Sequence, residues 1–156
     1  MNLGIIHVAA DGSAGSRRAF KWALHEAGLR RCAVELVTAY QRVESESPDV
    51  ARASAERSLH ATMDDIVVGS ADLPSISWRV VEGEPADRLV RESARSELLV
   101  MGSHGVQGLI HSTLGSVADT CARMADCPVV IIPPTRRAEA GRDEVVTAAT
   151  FARETR

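Results

Sequence analysis

Leu98-Leu99-Val100-Met101-Gly102-Ser103-His104-Gly105-Val106-Gln107-Gly108-Leu109-Ile110-His111-Ser112-Thr113-Leu114-Gly115-Ser116-Val117 reads as a buried strand, a glycine-bearing loop and the first residues of a helix. Gly102, Gly105 and Gly115 leave main-chain N–H groups uncovered, and Ser116 adds a hydroxyl directly after the last glycine. A strand-to-helix loop of this kind can seat an anion, because the first N–H groups of a helix have no partner within it and carry the positive end of its dipole.

Outward from this stretch, short apolar runs alternate with helix-length segments along the whole chain. This is the pattern of a parallel sheet covered on both faces, an α/β doubly wound fold. Five strands and four helices are expected. Strand one runs from about Gly4 to Ala9, followed by a turn at Asp11-Gly12-Ser13 and a helix whose Ala19, Phe20, Ala23, Leu24 and Ala27 form one stripe. Strand two spans about Val34 to Tyr40, and a second helix about Asp49 to Val67. Ile76-Ser77-Trp78-Arg79-Val80 alternates apolar and polar residues, as a half-exposed strand near a sheet edge does. Pro85 suits the first position of helix three, with Leu89, Val90, Ser93 and Ala94 at inward spacing. Helix four covers about Ser116 to Ala125, with Val117, Cys121, Ala122 and Met124 as its apolar members. Strand five is Val129 to Ile132, stopped by Pro133-Pro134. Residues 1–134 form one domain, and 135–156 a charged tail expected to be mobile.

Composition removes several function classes. The net charge is −3, and arginines are scattered in ones and twos, so no basic footprint for nucleic acid is present. No apolar run approaches the roughly 20 residues that cross a bilayer, so no membrane role is expected. Three cysteines without Cys-x-x-Cys spacing, and a start without a charged leader, fit a cytoplasmic protein. Lys21 is the only lysine, which excludes a Walker-type loop. Gly102, Gly105 and Gly108 give Gly-x-x-Gly-x-x-Gly rather than the dinucleotide Gly-x-Gly-x-x-Gly, and Gly-x-Ser-x-Gly of the hydrolase elbow is absent. His104, His111 and Cys121 lack the spacing of a metal site, so no metal is assigned to protein ligands. His7, inside strand one, is read as packed or hydrogen-bonded.

A doubly wound sheet binds ligands beyond the carboxyl ends of its strands, where neighbouring loops diverge. If strands one and four are adjacent, Asp11 lies across a crevice from the glycines. A carboxylate there can accept from ribose hydroxyls or an adenine amino group, while phosphate sits at the start of helix four.

At these residues the chain resembles the universal stress proteins. Their Gly-x2-Gly-x9-Gly-[Ser/Thr] is matched by Gly102, Gly105, Gly115 and Ser116, and their early Asp-Gly-Ser by Asp11-Gly12-Ser13. Leu-Leu-Val-Met-Gly-Ser-His-Gly, Leu-Gly-Ser-Val-Ala and Cys-Pro-Val-Val follow in the family's order, and the similarity covers about residues 4 to 134. The resemblance implies a five-stranded parallel sheet ordered 3-2-1-4-5, with helices on both faces, as in the adenine nucleotide alpha hydrolase-like fold. It implies ATP between strands one and four. Ala9 and Asp11 would border base and ribose, Ala39 would offer backbone to adenine, and Met101 would pack nearby. Gly102, Gly105, Gly115, Ser116 and Val117 would surround ribose and phosphates, with Mg²⁺ held only through the phosphates. Departures from the family pattern are Glu97 for aspartate, Val106 for arginine and Ser112-Thr113 for leucines; none removes a phosphate donor.

The implied order leaves strand five at an edge although it is apolar on both faces. A homodimer through Val129, Val130, Ile131 and Ile132 is therefore expected, as in many members of the family. The expected activity is a stress response regulated by ATP, through a surface shown to a protein partner that the sequence does not identify. Residues 102–115 hold no Lys or Arg, so binding rather than fast turnover is expected, and no residue is assigned a catalytic role. The alternatives are a slow ATPase or autokinase using Ser116 or Ser103, and an AMP or cyclic-AMP sensor on the same scaffold.

Overall fold

A computed structural model describes residues 4–64, 72–105 and 114–135. The elements are β1 (Ile5–Ala9), α1 (Ala14–Arg30), β2 (Ala33–Tyr40), α2 (Pro48–Met63), β3 (Ile76–Glu82), α3 (Pro85–Ser93), β4 (Leu98–Gly102), α4 (Ser116–Met124) and β5 (Val129–Ile132). The strands form one sheet in the order β3-β2-β1-β4-β5, with every neighbouring pair parallel. The expected α/β architecture and strand order are both present. The second helix was expected to reach Val67; α2 ends at Met63, and 65–71 lie outside the described residues, as do 106–113 and 136–156.

Alternation along the strands divides the core. Ile6, Val8, Val34, Leu36, Leu98 and Val100 face α1 and α2, where Phe20, Ala23 and Leu59 cover them. Val37, Leu99 and Met101 face the other way and pack with Leu89, Ala118 and Cys121 of α3 and α4. The expected stripe of α1 is buried in full. Helix four departs from its expected apolar face: Ala118 and Cys121 are its buried members, whereas Ala122 is exposed and Met124 is 63% exposed. Ala94, the C-cap of α3, is exposed, and Glu92 within the helix is buried in its stead.

Glu92 is buried because it is paired. His7, fully buried, places Nε2 2.7 Å from Glu35 Oε2 and Nδ1 2.7 Å from Ser96 Oγ. Arg79 donates to Glu35 at 3.1 Å and to Glu92 at 2.5 Å; Arg95 donates to both at 2.8 Å. Two guanidinium groups balance two carboxylates, so a neutral imidazole leaves the cluster without net charge. His7, Glu35 and Glu92 have ligand atoms close enough to share a cation, but the arginines occupy both carboxylates. The cluster is an ion-pair hub tying β1, β2 and β3 to α3.

Burial pulls the His7 imidazole below its ordinary value of 6.5, against the opposing pull of Glu35. Burial alone would raise Glu35 and Glu92, yet hydrogen bonds from His7 and Arg79 to Glu35, and from Arg95 and Arg79 to Glu92, hold both below 4.5. For His7 the unfolded chain takes up the proton first, so its contribution is intact above about pH 6.5 and declines as pH falls through that value. The carboxylates add a second decline below about pH 4.5. The urea midpoint is therefore expected to fall between about pH 7.5 and pH 5.5, and His7→Gln should flatten that first step while leaving the acidic one. A midpoint in the unaltered chain that is level across this range would contradict the assignment.

Candidate functional site

Because β1 pairs with both β2 and β4, the chain leaves the sheet on opposite faces at the carboxyl ends of β1 and β4, the position at which a doubly wound sheet forms its crevice. On one side stands the turn 11–13. Asp11 Oδ1 accepts the Ser13 N–H at 2.9 Å, and Gly12 takes φ +80°, a conformation glycine adopts without steric cost. Ser13 caps α1, its hydroxyl accepting the Ser16 N–H at 3.1 Å.

On the other side stands the end of β4. A Cβ added to Gly105 would lie 2.9 Å from Asp11 Oδ2, so the carboxylate points across the crevice at this glycine. Gly102 has a different neighbour: its Cβ position is 2.8 Å from Cα of Gly15, in the first turn of α1. Gly115 donates to the Ser103 carbonyl at 2.8 Å and is the N-cap of α4, which has no side-chain cap among the described residues. The first N–H groups of α4 thus stand at the crevice end of the sheet, where the N-cap glycine has no side chain to accept them, beside the exposed hydroxyl residue Ser116.

Asp11 also lines a cleft of about 270 Å³ between β2 and α2, with Thr38, Ala39, Tyr40, Ser54 and Ser58 among its walls. Asp11 and Ala39 are therefore brought together, and Asp11 joins the cleft to Gly105. Met101 is 3% exposed and belongs to the core, where Ala9, Ala39 and Val117 pack against the same cluster. Of these, Ala39 also lines the cleft. Val106, Gly108, His111, Ser112 and Thr113 lie outside the described residues.

Several residues at the crevice carried no motif. Thr38 donates its hydroxyl proton to the Ala10 carbonyl, Thr62 accepts the Gly12 N–H at 3.1 Å, and Gly15 permits the approach of β4 to α1. Helical spacing in 51-54-55-58-62 was available as a signal for Thr62, because it places a hydroxyl on the face of α2 that meets the sheet. Ser103, named as a phosphoryl acceptor, is buried, with its hydroxyl 3.0 Å from His104 Nδ1. Burial drives the Cys121 thiol up to about 11, in keeping with a small apolar core residue. Among the described residues no helix is long and apolar enough to cross a membrane.

Comparison with known proteins accords with this geometry. The model of the Universal stress protein family matches residues 3–133. The universal stress protein Rv2028c of Mycobacterium tuberculosis is 32% identical over 145 residues, which cover 88% of this chain and 50% of that protein. Rv2005c of the same organism is 33% identical over 129 residues, covering 80% of this chain and 43% of the relative. The chain spans about half the length of the curated relatives it matches. Among solved structures, the universal stress protein UspA from Lactobacillus plantarum superposes with a TM-score of 0.68 at 19% identity, over 85% of this chain and 99% of that one. A universal stress protein in complex with cAMP superposes with a TM-score of 0.65 at 27% identity, over 85% and 98%. With the expected strand order, the crevice and the family match in agreement, the chain belongs to the universal stress protein family.

Proposed function

We propose that this chain binds an adenine nucleotide, ATP, in the crevice between β1 and β4, and that occupancy regulates a stress response in the cytoplasm by changing the surface offered to a protein partner. The observation that carries the reading is the pairing of Asp11 with Gly105 across the crevice, next to the start of α4, whose N-cap is a glycine. The cleft of about 270 Å³ lies near the lower end of small-molecule sites, roughly 300–1,000 Å³, which suits a base and ribose with the phosphates outside it. Asp11 accepts from the ribose, Ala39 offers its backbone to the base, and Gly102, Gly105, Gly115, Ser116 and Val117 flank the phosphates. Ala9 and Met101 shape the floor. Mg²⁺ would be held through phosphate oxygens.

A nucleotide monophosphate is the second reading, favoured by the 27% identical relative whose structure is a complex with cAMP. Calorimetry decides between them. ATP is expected to bind and to be displaced only weakly by AMP or cyclic AMP; equal displacement by either favours the sensor, and no heat with any of the three overturns nucleotide binding. Phosphoryl transfer is the lesser activity, because residues 102–115 supply no cation to hold a leaving group.

β5 stands at the edge of the sheet with Val129, Val130, Ile131 and Ile132 only half-buried. We propose that this edge pairs with a second copy. Light scattering should give twice the chain mass at micromolar concentration, and a monomer there refutes the pairing.

A further inference from the structure

We propose that Thr62 is a positioning residue that aims the Asp11 carboxylate by fastening the turn after β1 to α2; this rests on the nucleotide reading above. Thr62 is fully buried and lines no part of the cleft among the described residues. Its hydroxyl oxygen accepts the Gly12 N–H at 3.1 Å, and its own proton is directed at the Ser58 carbonyl, also 3.1 Å away. The Ser16 hydroxyl, which donates to the Ser13 carbonyl at 2.9 Å, lies 3.1 Å from the same oxygen. Thr62 thus sits at the junction of the turn, the first turn of α1 and the last turns of α2.

The Gly12 N–H belongs to the peptide unit that also carries the Asp11 carbonyl. Fixing that N–H fixes the plane from which Asp11 projects. A second α2 residue lies close to the turn, since a Cβ on Gly12 would meet the Ser58 carbonyl oxygen at 3.2 Å. Ser58 lines the cleft, and Thr62 follows four residues later on the same helical face. A ligand that wedges the cleft therefore bears on the helix that aims Asp11.

Thr62→Val keeps the shape and removes the acceptor. ATP affinity, read by calorimetry, is expected to weaken about five- to tenfold, and Thr62→Ser to restore it to within about twofold. A merely structural role would lower the melting midpoint without this dependence on Asp11. In an Asp11→Ala background, Thr62→Val should weaken ATP binding no further, because the group it aims is gone. Unchanged affinity in Thr62→Val, or an equal loss with and without Asp11, overturns the proposal. If the unaltered chain binds no adenine nucleotide, both readings fall; if it binds and Thr62→Val binds as well, only this one does. Should Thr62→Val not fold, amide exchange in the unaltered chain serves: the Gly12 amide is expected to be protected, more so with ATP, and an unprotected amide overturns the tether.

Discussion

Replacing Gly102 by alanine is expected to cost about 2–3 kcal/mol of stability and to lower the melting midpoint by roughly 5–10 °C, the range for overpacking a tight contact in a domain of this size. The new methyl would sit 2.8 Å from both Cα and the carbonyl carbon of Gly15. Those are main-chain atoms in the first turn of α1, so no rotamer change relieves the clash; α1 must lift from β4. Lifting α1 also moves Ser13 and the turn bearing Asp11, so nucleotide binding should weaken alongside stability. Gly28→Ala is the matched control. It lies inside α1 with nothing within 4 Å of its Cβ position, and it should stabilise by about 0.5–1 kcal/mol through the usual helical preference for alanine. A Gly102→Ala midpoint equal to that of the unaltered chain would mean that the close approach is not enforced in solution.

Gly102 is visible as a motif glycine, and a motif reading assigns it to the ligand. The structure adds a packing reason that only the fold supplies, because Gly15 lies 87 positions away and no local pattern links the two. The strands were legible because buried parallel strands are unbroken apolar runs, and Leu98 to Met101 is apolar throughout. Asp11 and Gly105 could be paired only once β1 and β4 were known to be neighbours, which came from family resemblance and not from periodicity. His7 was recognised as interior. Its partners were not, since Glu35, Arg79, Glu92 and Arg95 each look like ordinary solvated charges until the sheet and α3 bring them together. Met124 failed for the opposite reason: its apolar character suggested burial, yet it falls on the outer face of a short helix. Long-range polar pairing leaves little trace in a linear pattern, whereas apolar periodicity leaves a strong one.

Gly115→Glu should abolish ATP binding while leaving the fold in place, with a loss of about 100-fold or more in affinity. Gly115 has φ −62° and ψ 158°, an extended conformation open to any residue, so the substitution brings no backbone strain of its own. Its Cβ position is 3.2 Å from the Ser103 carbonyl oxygen, a crowding that costs stability only modestly. The effect on the ligand is electrostatic. A carboxylate at the N-cap of α4 is favourable for the helix, and it would satisfy from within the N–H groups proposed to hold phosphate. A phosphate brought to the same place would meet a like charge; at about 4 Å and an effective dielectric of about 20 that repulsion is roughly 4 kcal/mol, ample for the expected loss. Gly115→Ala separates charge from crowding, since it shares the contact with Ser103 and adds no carboxylate. It should bind ATP several-fold less tightly at most. Calorimetry on both variants, with melting curves to establish that each is folded, gives the readout. ATP affinity in folded Gly115→Glu equal to that of the unaltered chain would place the phosphates elsewhere than the start of α4, and with them the nucleotide.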